Sequence, residues 1–527
     1  MSHFVFEDSF DDTYSRKSPL SWANEIDYGN PEFVWDDKVR RSGSRSLGIT
    51  NRSRAKGSWS LKWSNSSGEY MISVYLKTEK VTGEGAGISI VCGNGEKKIH
   101  SSAIKGTNDW QKVSVKFSTP LIRVPHFTIR LHLSGKGTVW FDDIRAEGKR
   151  PVLPLSKKLP RGWYRGYVHY HTSFGRPALY KITPKILASQ LKQIGANFAF
   201  CGGDHDRPVL GTVLKSSVSD WSQMAQLCEE NSTDEVILLP AAEHMVCFPG
   251  RTHPVTGEPP QHHCLAVYWK PLFFETVLKE WSRKRRFKFP PKIRPAYTPD
   301  FIRKANENDL TVTVCHAANT SHGWPGVPPG PIPNKVPEFY HLDYYELFND
   351  EFASFSEDFE CYLKFLADPR SVKMGVYAGV EKNNDDLPPC ESWFMDRCTY
   401  SYISGKFSRK SLREAWINRQ TYATCGFLYF EKLSPIPSKK DIEGVKTPKI
   451  EFTVRNSAAR PIVKVKIYRN GEKVYEDSGS GKSLYSLSWE DKSVSGKNAH
   501  YIIYIQAENS QFLKQDILIT SPINYCF

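Results

Sequence analysis

Long apolar runs are missing from this chain. No stretch approaches the ~18 consecutive apolar residues that a helical membrane span needs, so none is expected. The N-terminus, Met1 to Asp8, lacks a basic segment followed by an apolar one, so no signal peptide is expected. Close cysteine pairs are absent as well. The eleven cysteines are scattered, odd in number and without a CxxC, which argues against a disulfide framework and for reduced thiols in a cytoplasm. No nucleic-acid recognition fold accompanies the basic residues, so nucleic acid is an unlikely partner on this pattern. What is present excludes disorder: 39% hydrophobic and 13% aromatic residues are ample for packed cores. At 527 residues the chain exceeds one compact core, and two to four domains are expected. The net charge of +14 favours anionic partners but says nothing about chemistry.

Hydrophobic periodicity divides the chain into β, then α/β, then β. Residues 1–150 contain strand-like runs such as Phe127-Thr128-Ile129-Arg130-Leu131-His132-Leu133, alternating at period two, with Gly, Asn and Ser clusters between. A Pro- and Lys-rich connector, Pro151 to Pro160, follows. From 161 to 430 strands alternate with helices. Tyr167 to His171 is a strand, Thr183-Pro184 opens a helix that Gly195 ends, and Asn197 to Phe200 is the next strand. A helix near 219–230 precedes Val236–Leu239, and one opened by Thr298-Pro299 precedes Leu310–Val314. Such alternation predicts a parallel sheet, open or closed into a barrel, with the chemistry where strands end. Residues 446–527 are again all-β, with Asn470-Gly471 as a hairpin turn.

Ten of the fifteen histidines lie in the central segment, and several follow predicted strands. His169 and His171, one residue apart, leave the same face of a strand and can grip one metal. Asp204-His205-Asp206, Glu243, His263 (or its neighbour His262), His316, Glu346, Asn349 and Glu381 sit at further strand ends. Imidazoles and carboxylates in this mix suit Zn, Mn or Fe, and a central carboxylate could bridge two ions. His244, His253, His322 and His341 read as ordinary loop residues. Cys201, Cys264 and Cys315 fall on the opposite strand face, as core residues.

His169-Tyr170-His171-Thr172, Asp204-His205-Asp206, Glu243, His263, His316 and Glu346-Leu347-Phe348-Asn349 resemble, in order, the motifs of the polymerase-and-histidinol-phosphatase (PHP) superfamily. The resemblance is nearest to its carbaryl-hydrolase-like branch, whose closing stretch is similar to Arg419 to Gly426. It covers about 160–527. It implies a distorted (β/α)7 barrel and a metal-dependent hydrolase that cleaves a phosphoester, ester or amide/carbamate bond with metal-bound hydroxide. One ion would be held by His169, His171, Glu243 and Glu381, a second by Glu243, His263 and His316, with Asp204 also a candidate ligand. Glu346 joins His205 and Asp206 as a candidate catalytic group, the latter two moving a proton to the leaving group. Gly379-Val380-Glu381-Lys382-Asn383 departs from the family's Gly-x-Asp-x-His, so Asn383 offers an amide where a third ion would want imidazole. Two ions are therefore expected.

Residues 1–150 resemble a carbohydrate-binding jelly roll, carried by Ser42 to Leu47, Asp109-Trp110-Gln111 and Gly137 to Ile144. The resemblance implies a structural calcium, with Glu7 and Asp143 as its acids. Trp59, Trp63, Trp110 and Trp140 suit either sugar stacking or the sandwich core. Lys279 to Arg294 holds eight basic residues, read as a solvated loop or as a lid that recruits an anionic substrate. The substrate expected is a small or glycan-linked molecule. The rival reading is a non-catalytic carbohydrate-binding or assembly protein on a degenerate barrel.

Overall fold

The computed structural model describes residues 2–11, 19, 22–64, 68–92, 97–119, 126–150, 159–172, 183–202, 218–247, 261–269, 296–297, 310–315, 342–348, 355–368, 373–379, 397–494, 498–508 and 516–527. The chain forms two compact units, one built on Met1–Leu153 and the other on most of the remainder. Strand dominates both, as the alternating patterns require.

The first unit is an eight-stranded antiparallel arrangement. Its centre is three long strands, Ser46–Ser64, Gly68–Cys92 and His126–Arg150. Alternation buries Phe127, Ile129, Leu131 and Leu133 on one face. The long strands change register between Asn51 and Ala55 and between Glu79 and Gly85. Such irregularities bend a strand and sharpen its twist. Gly135 sits at one of these bends with φ +129°, where a Cβ would come within 1.8 Å of the Thr82 carbonyl oxygen. No larger residue fits that approach.

The second unit begins with seven strands that are neighbours in one continuous order: β1 (Trp163–His171), β2 (Phe198–Gly202), β3 (Ile237–Cys247), β4 (Gln261–Val267), β5 (Thr311–Val314), β6 (Tyr344–Phe348) and β7 (Gly375–Ala378). A parallel bridge from Val168 to Gly379 joins the first strand to the residue after the last. Helices α1 (Pro184–Ile194), α2 (Val218–Glu230) and α3 (Phe355–Ala367) lie between strands of this series. Gly195 ends α1 with φ +68°, the residue after it donating back to Leu191. The helix expected at Thr298-Pro299 lies outside the described residues.

These seven strands pair in parallel except at β4, which runs antiparallel to both neighbours, and this corrects the all-parallel expectation. The cause is legible between Cys247 and Gln261. That segment holds four prolines and two glycines. A sequence this rich in proline and glycine carries no pattern for the crossover helix that a parallel return normally uses, whereas an antiparallel return needs none. The consequence matters for function, because the start of β4 lies beside the end of β3.

Val168, Phe200, Leu239, Ala241, Leu265 and Tyr377 pack into one buried cluster closed by Trp416 of α4 (Arg409–Ile417). The Trp416 indole N–H donates to Ser401 Oγ at 3.0 Å. Past β1 the sheet continues through Cys398–Tyr402, Thr421–Cys425, Asp516–Thr520 and Asn498–Ala507. Asn470 and Gly471 both take positive φ in the tight turn between Ile462–Arg469 and Glu472–Asp477.

Candidate metal centre

β1 delivers the first two candidate ligands. Its pairing with β2 slips between Ala199 and Cys201, so β1 carries one extra residue. His169 lies at this bulge with φ +57°, an uncommon value for a residue with a side chain. Bulges re-aim side chains and concentrate beside functional sites. Here Val168 belongs to the buried cluster while His169, the next residue, also reaches Glu346. His169 and His171 are both buried, with ring centroids 5.1 Å apart.

Glu346 comes from β6, which has its own register shift between Glu346 and Phe348. Its carboxylate is buried, and Oε1 lies 3.0 Å from His169 Nδ1. Burying a carboxylate is costly unless a cation or hydrogen-bond donor meets it. The space for this contact depends on Gly379, where a Cβ would fall 1.5 Å from Glu346 Oε1.

Cys315 follows β5 directly. Its thiol lies with His169 and Glu346 so that one ligand atom from each falls within 4.8 Å of the others. The core placement expected for Cys315 holds, since it is fully buried in the apolar cluster with Val168 and Tyr377, and its thiol lies at the same time beside His169 and Glu346. Thr313 and Cys315 share the inward face, both within reach of the Tyr377 hydroxyl, at 3.0 and 3.5 Å. Burial, and then the neighbouring Cys315 and Glu346, push the Tyr377 phenol well above its usual range, so it remains a donor.

For Glu243 and His263 the backbone alone is informative. Ile237, Leu239 and Ala241 of β3 and Leu265 and Val267 of β4 all belong to the inward cluster. In the β3–β4 register Glu243 is opposite Leu265, and Met245 opposite His263. Asp204, His205, Asp206, His316, Asn349, Glu381, Asn383 and the Lys279–Arg294 run lie outside the described residues.

Sequence reasoning missed Cys315, Tyr377 and Gly379. The spacing of Thr313 and Cys315 on one strand was the available signal for the first. Cys201, expected in the core, is buried beside Cys228 of α2, and that proximity together with burial raises its thiol pKa.

In the first unit, the two acids expected to hold calcium are each held by an arginine: Glu7 by Arg145, and Asp143 by Arg41. Trp59 is core, its indole N–H donating to Gly48 at 3.0 Å. Trp140 is half-buried, its indole N–H held by Asp36 Oδ2 at 2.8 Å.

No family model matches the sequence, and no curated protein matches it either. Among solved structures, the chain is similar to a two-domain protein from Bacteroides vulgatus that contains a predicted PHP-like metal-dependent phosphoesterase. Identity is 11%, the match covers 72% of this chain and 99% of that one, and the TM-score is 0.36. It is also similar to the CBM22-1 xylan-binding domain of Paenibacillus barcinonensis Xyn10C, at 16% identity over 28% of this chain and 95% of that one, TM-score 0.22. A third likeness is to TmCBM61, solved with β-1,4-galactotriose, at 12% identity over 25% of this chain and 88% of that one, TM-score 0.19.

Proposed function

We propose that this protein is a metal-dependent hydrolase, with residues 161–430 forming a distorted (β/α)7 barrel of the PHP type and cleaving a phosphoester, ester or amide/carbamate bond. The observation that carries this reading is the buried assembly of His169, His171 and Glu346 in one strand-end cluster. Two adjacent imidazoles beside a buried carboxylate fit a divalent transition ion: the donor types match, and a cation would balance the carboxylate. His169 and His171 would hold it together with Glu243 and Glu381, and a second ion would be held by Glu243, His263 and His316, as the family resemblance implies, with Asp204 a further candidate ligand. When bound, such an ion polarises the scissile bond and makes a water available as nucleophile at neutral pH.

The chain's own groups do the rest. Glu346 accepts from the Nδ1–H of His169, which fixes the tautomer that offers Nε2 as a donor. In this arrangement Glu346, expected among the catalytic groups, is a positioning residue. The Tyr377 hydroxyl shares a hydrogen bond with Thr313 in the same wall, and the two imidazoles are buried from bulk water. His205 or Asp206 would carry a proton to the leaving group.

The test is direct. Purified protein should carry about two tightly held Zn, Mn or Fe ions by elemental analysis, and a chelator should abolish turnover of generic phosphoester or aryl-ester substrates. Protein that holds no metal and takes none up on titration would refute the reading. Trp140 favours a second role, in the first unit. Its half-exposed ring, anchored through Asp36 beside side-chain-free Gly48, suits stacking on a sugar face. Glycan binding that persists after chelation and is lost in Trp140→Ala would support it. Glycan binding with no hydrolysis on any substrate would favour the non-catalytic alternative.

A further inference from the structure

Among the described residues, one group of three or more His, Cys, Asp and Glu side chains brings its ligand atoms together: His169, Cys315 and Glu346, all buried, within 4.8 Å of one another. The imidazole and the carboxylate are used above; the sulfur is not. We propose that Cys315 is a ligand of the ion held at His169, and that its thiolate makes the site select zinc over manganese and magnesium. This rests on the metal-hydrolase reading and deepens it.

The geometry is close to what a zinc ion needs. Zn–S of ~2.3 Å and Zn–N of ~2.0–2.1 Å put neighbouring ligand atoms roughly 3.3–3.6 Å apart in a tetrahedral site. A group already inside 4.8 Å needs to contract by only about 1 Å, within the reach of small side-chain rotations.

The chemistry adds a direction. Thiolate is a soft donor that prefers zinc and ferrous ions, whereas manganese and magnesium prefer oxygen. A buried thiol is ordinarily a protonated, inert core group, but a cation at bonding distance removes its proton. The Tyr377 hydroxyl, 3.5 Å from Sγ, is placed to donate to the resulting thiolate, as outer partners of metal ligands do. Thr313, 3.0 Å from the same hydroxyl, holds it in place. Had Cys315 been only a space-filling residue, a small aliphatic side chain would serve among these neighbours equally well.

The experiment uses the full-length protein, stripped by a chelator and titrated with cobalt(II), zinc and manganese. The wild-type cobalt form should show a thiolate-to-cobalt charge-transfer absorption that disappears in Cys315→Ser. The ratio of zinc to manganese affinity should fall in Cys315→Ser by at least the ~10–100-fold that loss of an outer partner costs. Zinc binding should also release about one proton fewer from the variant. Cobalt uptake without the absorption, an absorption that survives in Cys315→Ser, or equal loss of zinc and manganese affinity would overturn the proposal while leaving the hydrolase reading intact. No cobalt, zinc or manganese uptake by the wild type would overturn both. Cobalt uptake by the wild type without the absorption overturns the proposal even if the variant does not fold.

Discussion

Gly379 offers the sharpest perturbation of the His169–Glu346 contact, because it touches neither residue covalently. Its φ lies outside the left-handed region, so alanine meets no backbone penalty there and acts only through its added methyl group. That carbon would fall 1.5 Å from Glu346 Oε1, 2.6 Å from Cδ and 3.2 Å from Cγ. To regain ordinary contact the carboxylate must retreat by roughly 2 Å. Oε1 is 3.0 Å from His169 Nδ1, so a retreat of that size breaks the hydrogen bond. Breaking a buried, charge-assisted contact costs about 1–3 kcal/mol. With His169 no longer held in one tautomer, metal affinity should fall by about 10–100-fold.

The assay is a pair of measurements on Gly379→Ala: a urea midpoint in the presence of chelator, and zinc affinity by competition. Both should drop. Adding Glu346→Asp, which shortens the acid by one methylene, should relieve the clash and recover part of the stability. Wild-type stability and zinc affinity in Gly379→Ala would show that the contact is not what the glycine protects. A stability loss that Glu346→Asp leaves untouched would place the clash on the backbone instead.

Burial pushes the Asp516 carboxyl up to about 7, against hydrogen bonds from the Phe427 amide and Asn456 that favour its ionised form. An acid whose folded pKa is raised binds its proton more tightly when folded. Stability is therefore greatest below the unfolded value near 3.8 and falls as pH rises to about 7, by on the order of 4 kcal/mol. Urea midpoints from pH 4 to 8 should show that decline in the wild type and a flatter profile in Asp516→Asn; equal slopes would refute it. Trp416→Ala empties a fully buried site packed against Phe200 and Tyr344 and should cost about 3–5 kcal/mol, read from the same midpoints. A loss below about 1 kcal/mol would mean that the site collapses around the deletion. Glu243→Ala should lose both ions, since it removes the ligand they are proposed to share, whereas His205→Ala should keep the metal and slow turnover by roughly 10²–10⁴-fold. Metal analysis beside turnover separates the two, and loss of metal in His205→Ala would make His205 a ligand.

The β–α/β–β order was legible because it rests on periodicity, and periodicity survives wherever a strand is regular. Phe127 to Leu133 alternates as read, and Asn470-Gly471 turns as its backbone chemistry demands. The direction of β4 was legible in principle from the prolines and glycines after Cys247, a signal that strand–helix counting passes over. The candidate site resisted for a different reason. Its geometry is set by departures from regularity: an extra residue in β1 at His169 and a register shift in β6 beside Glu346. Each changes which face a side chain takes, and none has a signature in a single sequence, because bulges arise from the pairing of two strands. The His-x-His spacing marks the right strand. What places its first histidine against Glu346 is the positive φ at His169, and that backbone strain persists only if the surrounding contacts outweigh it. Glu346 supplies such a contact at 3.0 Å, so the feature that hides the site from sequence is also the one that this buried pairing holds in place.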